Sequence, residues 1–116
     1  MCIRDSHGSE LSPCISTAHC ARQDWLSSNP QSDLETLIAV VRETPRTIIV
    51  QEDDDYIHAE ASSALFGFVD DLELLAVPAT GMIQSRSISR LGDSDLGVNA
   101  ARLDRLKILI NEKELN

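Results

Sequence analysis

The sequence predicts an α+β domain in which two helices cover one face of a four-stranded antiparallel sheet. Apolar residues recur at helical spacing near both ends of the chain, and four segments between them alternate as strands do. Short polar turns separate those strands. A chain of 116 residues can bury one core only. The expected element order is therefore helix, four strands, helix, arranged as a two-layer sandwich.

The segment before the first helix is expected to be irregular. Residues 1–6, MCIRDS, resemble a translated adaptor scar of a metagenomic reading frame and are left out of the fold, so we expect the natural N-terminus to be missing. Residues 7–32, the leader, are rich in Ser, Pro, Asn and Gln and show no sustained period. We expect Trp25 and Leu26 to pin the leader across the surface of a single domain spanning residues 33–116.

The first helix is predicted to begin at Ser32 or Asp33 and to run to about Glu43. Glu35 follows Ser32 at the spacing of a capping box. The helix must end before Pro45, because the residue that precedes a proline is driven out of helical geometry. Four apolar residues recur at helical spacing and predict one buried stripe: Leu34, Leu37, Ile38 and Val41.

Two strands, residues 46–51 and 56–62, flank the acidic turn 52–55 and predict a hairpin. With Gln51 opposite Tyr56, the alternation of side chains assigns every residue to a face. One face is then predicted to carry Ile48, Val50, Ile57, Ala59 and Ala61. The other is predicted to carry Thr47, Ile49, Tyr56, His58 and Glu60.

A second hairpin is predicted from residues 69–77 and 82–90, joined by the turn 78–81. With Val77 opposite Met82, the register assigns the side chains of this hairpin to the two faces of the sheet. The helix-covered face receives Phe68, Leu72, Leu74, Ala76 and Ile83, with Ser85 and Ser87 as small residues beneath a helix. The second face receives Asp71, Glu73, Arg86 and Arg90, on the same side as His58 and Glu60.

The last helix is predicted from Asn99, a good N-cap residue, to about Lys113. Gly97 is expected to adopt a positive φ just ahead of it. Three apolar residues on one side of this helix are expected to be buried: Leu103, Leu106 and Ile110.

Composition excludes several classes of function. A net charge of −9 repels phosphate backbones, so no nucleic-acid partner is expected. The longest aliphatic run, residues 37–41, is far too short for a transmembrane segment. The chain lacks a glycine-rich phosphate loop, a nucleophile elbow and an established metal-ligand spacing, so we expect no cofactor and no metal.

Two cysteines in the leader, Cys14 and Cys20, leave alternatives open. Their spacing permits a disulfide in an oxidising compartment and two reduced thiols elsewhere. His19 could join the two thiolates around zinc, but the spacing matches no established zinc site.

The candidate site is the corner, within residues 81–102, where the last strand leads into the last helix. Arginine forks, serine hydroxyls and the amides at the helix start could bind a small polar or anionic ligand, or a protein partner. The candidate binding residues are Asp71, Glu73, Arg86, Ser87, Ser89, Arg90, Ser94, Asp95, Asn99 and Arg102.

Three other interpretations of these residues remain open. They could be a solvated sheet surface with ordinary cross-strand ion pairs. They could form an internal network that locks the corner of an interaction module, pairing Asp70 and Asp71 with Arg86, Arg90 and Arg102. They could also form a hydrolase-like or metal-dependent active site, with His58 as general base or metal ligand beside Glu60, Asp71 and Asp95. A binding or interaction module is favoured over an enzyme.

Four segments together resemble a bacterial and plastid family known as domain of unknown function 1499. They are FVDDLE at residues 68–73, RSISRLGDSDLGVNAAR at 86–102, YIHAE at 56–60 and LSPCISTAHC at 11–20. The resemblance implies no activity. It does imply an exported, periplasmic or envelope-associated protein and an oxidised Cys14–Cys20 pair. Asp93 departs from the family pattern, which tends to have an uncharged residue there, and this extra carboxylate would weaken an anion site.

Overall fold

The computed structural model describes residues 10–16, 18–63, 68–91 and 97–115, without the side chains of residues 112–115. Its elements are β1 (Cys20–Leu26), α1 (Pro30–Glu43), β2 (Thr47–Glu52), β3 (Tyr56–Ser62), β4 (Val69–Val77), β5 (Met82–Ser89) and α2 (Val98–Leu115). The sheet has the order β1-β5-β4-β3-β2, and every neighbouring pair is antiparallel. The predicted α+β class is confirmed. The predicted number of strands is wrong, because the sheet has five strands and not four.

The additional strand, β1, comes from the leader. It pairs with β5, with Trp25 opposite Ile83. The sequence of β1 does not show the alternation of apolar and polar residues that marks a strand, because the polar residue Gln23 shares a face with Trp25. Gln23 accepts a hydrogen bond from Nε1 of Trp25 (2.8 Å) and donates one to Oδ1 of Asp104 in α2 (3.0 Å). Trp25 therefore anchors this part of the leader in the core, but the segment is a strand of the sheet and not a cover across the surface, and the second expected anchor, Leu26, is exposed.

Helix α1 begins at Pro30, two residues before the earliest predicted start. Asn29 is the N-cap, and its side chain accepts a hydrogen bond from the Ser32 amide (3.2 Å). A proline in the first turn fits this start, because its missing N–H would have no partner there anyway. The helix ends at Glu43 as predicted. The whole predicted stripe is buried: Leu34, Leu37, Ile38 and Val41.

The β2–β3 hairpin differs from the predicted register by one residue at Ile49 and by two residues at Gln51. Ile49 lies opposite Ala59, and a bulge follows between Ile49 and Gln51. A slip of one residue exchanges the two faces of a strand. Ile49 therefore packs against the core, whereas Ile48, which was predicted to lie on the same face as Ala59, is exposed. The predicted faces of β3 are correct, since Ile57 and Ala59 are buried in the core.

The β4–β5 hairpin has the predicted register, with Val77 opposite Met82 and Glu73 opposite Arg86. Gly81 closes its turn with a φ of 67°, a conformation that favours glycine. Residues of the helix-covered face that enter the core are Leu72, Leu74, Ala76 and Ile83, and Ser85 and Ser87 are fully buried as well. Phe68 was assigned to this face but is about half exposed.

Helix α2 begins at Val98, one residue before its predicted start. Gly97 has a φ of 82°, as predicted. The apolar residues Leu103, Leu106 and Ile110 of α2 pack with α1 and the sheet in one core. Neither helix of the described chain is long and apolar enough to cross a membrane. Because both helices contribute to that single core, the other face of the sheet is left for the candidate site.

Candidate functional site

The sheet face opposite the helices has two halves. One half is covered by Leu11, which is buried against Tyr56 and Leu75. The backbone amide of Leu11 donates a hydrogen bond to Oε1 of Gln84 (2.8 Å). A disulfide joins Cys14 to the first residue of β1, Cys20, with their Cα atoms 5.7 Å apart. The segment that carries Leu11 is therefore attached to the sheet at two points, by the contacts of Leu11 and by the disulfide.

The covered half contains a buried ion pair between Glu73 and Arg86. The Glu73 side chain is 0% exposed, and that of Arg86 is 11% exposed. Oε1 of Glu73 accepts a hydrogen bond from Nη1 of Arg86 (2.9 Å), and Oε2 accepts one from the Tyr56 hydroxyl (2.8 Å). Nε of Arg86 is buried and has no hydrogen-bond partner among the described residues. The pair is thus closed off from solvent, and its contacts are structural.

The other half is a cleft of about 640 Å³, here called the polar cleft. Strands β3, β4 and β5 supply most of its walls, and the residue before β1 supplies one more. Its lining residues are His19, His58, Glu60, Asp71, Ile88, Ser89 and Arg90. A volume of this size falls within the range of small-molecule sites.

Asp71 is the centre of the polar cleft. Its side chain is 1% exposed, and its two oxygens accept hydrogen bonds from Nε and Nη2 of Arg90 (both 2.8 Å). Nε2 of His58 donates a third hydrogen bond, to Oδ1 (2.7 Å). Burial acts to raise the pKa of Asp71, but the hydrogen bonds from Arg90 and His58 outweigh it and hold that pKa below its usual value. Asp71 is therefore an ionised anchor for two side chains.

Arg90 lies at the mouth of the polar cleft, and 44% of its side chain is exposed. Besides its two bonds to Asp71, it donates through Nη2 to Oε2 of Glu60 (2.7 Å), whose side chain is 36% exposed. Hydrogen bonds to Asp71, and then to Glu60, raise the pKa of Arg90. Nη1 donates to none of the residues that the structure describes.

A metal ion would compete with Arg90 for this position. Ligand atoms of His58, Glu60 and Asp71 lie within 4.8 Å of one another, and these residue types are common metal ligands. However, the guanidinium of Arg90 already bonds to both carboxylates. A metal would have to displace this cation from the nearly fully buried Asp71, which favours Arg90 as the resident positive charge.

His58 and Asp71 also have the geometry of an oriented base. Because Nε2 of His58 donates to the ionised carboxylate, Nδ1 remains the acceptor nitrogen of the ring. Ser89 also lines this cleft, but its hydroxyl accepts a hydrogen bond from Nδ2 of Asn99, a residue of α2 (2.9 Å). Among the described contacts, therefore, Ser89 and His58 do not form a nucleophile and base pair.

A second polar network lies on the helix-covered face, beneath α2. Oδ1 of Asn99 accepts hydrogen bonds from the Ser87 hydroxyl (2.6 Å) and from Nη1 of Arg102 (3.0 Å). Nη1 of Arg102 also donates to Oδ2 of Asp70 (2.9 Å) and to the Ser87 hydroxyl (2.9 Å). Nδ2 of Asn99 donates to the carbonyl oxygen of His19 (3.1 Å). The Asn99 side chain, expected to cap the helix, thus joins α2 to the sheet.

The structure describes eight of the ten candidate binding residues and places them in three groups. The polar cleft brings together Asp71, Ser89 and Arg90, whereas Glu73 and Arg86 lie in the covered half of the same face. The helix-covered network contains Ser87, Asn99 and Arg102. Ser94 and Asp95 lie outside the described residues.

Sequence reasoning did not include His19 and Ile88 in the site. His19 was considered only as a zinc ligand beside the cysteines. Its Nδ1 is buried and makes no hydrogen bond to the described residues. Recognising β1 as a strand paired with β5 would have found His19, because this residue immediately precedes β1 and its carbonyl accepts a hydrogen bond from the Ser89 amide (2.9 Å).

Residues 9–109 match the model of a family described as "Protein of unknown function (DUF1499)". No curated protein and no solved structure matches the chain significantly.

Proposed function

The chain belongs to the DUF1499 family, and because the description of that family names no activity, we propose a function from the site itself. The protein is a small binding module, and the polar cleft holds its ligand. The observation that carries this proposal is the state of Arg90. Its guanidinium is fixed by the buried Asp71, yet its side chain is 44% exposed at the mouth of a cleft. An arginine held in place before binding loses little entropy when a ligand arrives.

The contrast between two arginines supports this role. Arg86 is enclosed with Glu73, so its charge is used within the fold. Arg90 keeps Nη1 without a described hydrogen-bond partner, and Ser89 and two imidazoles line the space beside it. The ligand is a small polar molecule with at least one group that accepts hydrogen bonds. The alternative of a purely internal ion-pair network applies better to Glu73 and Arg86 than to Arg90.

The experiment is a ligand screen by thermal shift, followed by titration of each hit into wild type, Arg90→Ala and Arg105→Ala. Arg105 is an exposed arginine of α2 and serves as the matched control. Binding should be lost in Arg90→Ala and kept in Arg105→Ala, with circular dichroism confirming that both variants are folded. Hits that bind Arg90→Ala as well as wild type would contradict the proposal, and Arg90→Lys provides a second variant should Arg90→Ala fail to fold.

An exported or envelope setting is part of the same proposal. It is supported by the disulfide between Cys14 and Cys20, since such bonds persist in oxidising compartments. Alkylation of protein taken directly from its native cells should leave Cys14 and Cys20 unmodified until a reductant is added. Modification of both thiols before reduction would contradict this setting.

A second candidate function, hydrolysis with His58 as general base, is favoured by one contact. The 2.7 Å hydrogen bond to Asp71 orients the imidazole as in other carboxylate–histidine pairs. A hydrolase screen should then find an activity that is lost in His58→Ala. Equal activity in His58→Ala and wild type would exclude it.

A further inference from the structure

We infer that the ligand of the polar cleft is a small zwitterion, a molecule that carries an ammonium and a carboxylate on the same carbon atom, as free α-amino acids do. This inference rests on the proposed function and narrows its ligand class. It follows from the charges of the cleft, from the exposure of one ion pair at its mouth, and from the way Asp71 holds Arg90.

The charges of the polar cleft disfavour a ligand that carries only positive or only negative charge. Two carboxylates, Glu60 and Asp71, face one guanidinium, that of Arg90, so the cleft carries one net negative charge when both imidazoles are neutral. A simple anion meets this negative charge and the overall charge of −9. A simple cation meets the guanidinium at the mouth. A ligand with both signs of charge can satisfy both groups at once.

The ion pair between Arg90 and Glu60 is the part of the cleft that can open. The two side chains are 44% and 36% exposed, and exposed ion pairs contribute little to stability. If this contact opens, the two hydrogen bonds to Asp71 still hold the guanidinium in place. Arg90 and Glu60 then present a fixed cation and an anion side by side.

A zwitterion replaces this contact with two others. Its carboxylate accepts hydrogen bonds from the Arg90 guanidinium, and its ammonium donates to the Glu60 carboxylate. An α-amino acid carries both groups on its α-carbon, which suits two side chains whose charged atoms are themselves 2.7 Å apart. Acidic amino acids are disfavoured, because their second carboxylate would face Asp71 and Glu60.

The test uses neutral L-amino acids as probes, titrated at millimolar concentration and followed by NMR chemical shifts. The best of them is then compared with its analogue lacking the ammonium and its analogue lacking the carboxylate. The amino acid should bind at least about tenfold more tightly than either analogue. In Glu60→Gln, the amino acid should no longer bind more tightly than the analogue that lacks the ammonium. In Arg90→Met, it should no longer bind more tightly than the analogue that lacks the carboxylate.

The matched controls are Arg42→Met and Glu52→Gln, which break another exposed ion pair of this protein, outside the cleft. Both should bind the amino acid as wild type does. If a simple anion binds the cleft as tightly as the amino acid, or if no neutral amino acid shifts the cleft resonances, the inference is wrong. The proposed function survives when some other small polar molecule binds in an Arg90-dependent way, and fails with the inference when none does.

Discussion

Arg90 holds Asp71 through two parallel hydrogen bonds of 2.8 Å, which join a guanidinium at the protein surface to a carboxylate that is 1% exposed. His58 completes the set from the neighbouring strand. All three contacts depend on Asp71 being ionised. The geometry of the polar cleft is therefore linked to the protonation of one buried group.

The first prediction is a pH dependence of stability that depends on Asp71. The pKa of this carboxyl is lowered in the folded protein from its ordinary value of 3.8, so its contribution is fully present above about pH 4. That contribution is lost as the pH falls through the lower folded-state pKa. Asp71→Asn should cost about 1.5–3 kcal/mol at neutral pH and should remove this part of the acid sensitivity. Urea unfolding at a series of pH values measures the loss of stability at neutral pH and the dependence of stability on pH.

The control for this experiment is Asp54→Asn, in the exposed turn between β2 and β3. It should stay close to wild type in stability at every pH. The assignment of acid sensitivity to Asp71 would be untenable if Asp71→Asn and wild type lost stability in parallel below pH 4.

The second prediction concerns the buried pair of Glu73 and Arg86. Arg86→Met leaves a fully buried carboxylate with the Tyr56 hydroxyl as its remaining partner and should cost about 3–5 kcal/mol. Adding Glu73→Gln removes the buried charge but keeps an acceptor for Tyr56. The double variant should therefore be more stable than Arg86→Met alone.

Equilibrium unfolding in urea gives the coupling between these two substitutions. Arg42→Met is the matched single change, because it breaks an ion pair with Glu52 in which both side chains are exposed. It should cost clearly less than Arg86→Met. Additive losses for Arg86→Met and Glu73→Gln, or equal losses at the two arginines, would mean that burial does not distinguish these ion pairs.

The third prediction concerns Asn99, which joins α2 to the sheet. Asn99→Ala removes the acceptor of the Ser87 hydroxyl proton and one of two donors to the His19 carbonyl in a buried setting. Unsatisfied buried polar groups are costly, so we expect a loss of at least about 2 kcal/mol.

Asn29→Ala provides the comparison for Asn99, because Asn29 caps α1 at the surface. Loss of a surface cap typically costs about 1 kcal/mol. Thermal unfolding of both variants ranks the two losses. A smaller loss for Asn99→Ala than for Asn29→Ala would show that the network beneath α2 contributes little.

The sequence predicted the central hairpin of the sheet well. The Pro78–Gly81 turn fixes the register of β4 and β5, and strict alternation then places Asp71 and Arg90 on the same face. The predicted buried stripes of both helices were also correct, because apolar residues at helical spacing all lie on one side of the helix and that side packs against the core. These parts rest on local patterns that tertiary contacts did not override.

Other parts could not be derived from local patterns. The bulge in β2 adds one residue to that strand alone, and nothing in the sequence of residues 47–52 marks it. β1 was missed because Gln23 is polar, and its burial depends on partners in Trp25 and Asp104. The candidate site combined Asp71 and Glu73, which the predicted register brings beside Arg86 and Arg90, with other residues of the segment 86–102 that are only close to these arginines in sequence. In a strand, however, neighbours such as Arg86 and Ser87 point to opposite faces.

The disulfide-linked segment and β1 also determine where this protein can be shortened. A fragment that started at residue 33 would strip Leu11 from Tyr56 and leave β5 with an unpaired edge. Open edges of this kind recruit other chains and promote aggregation. A shortened recombinant protein should therefore keep Glu10 and everything after it, because the residues ahead of α1 complete the sheet.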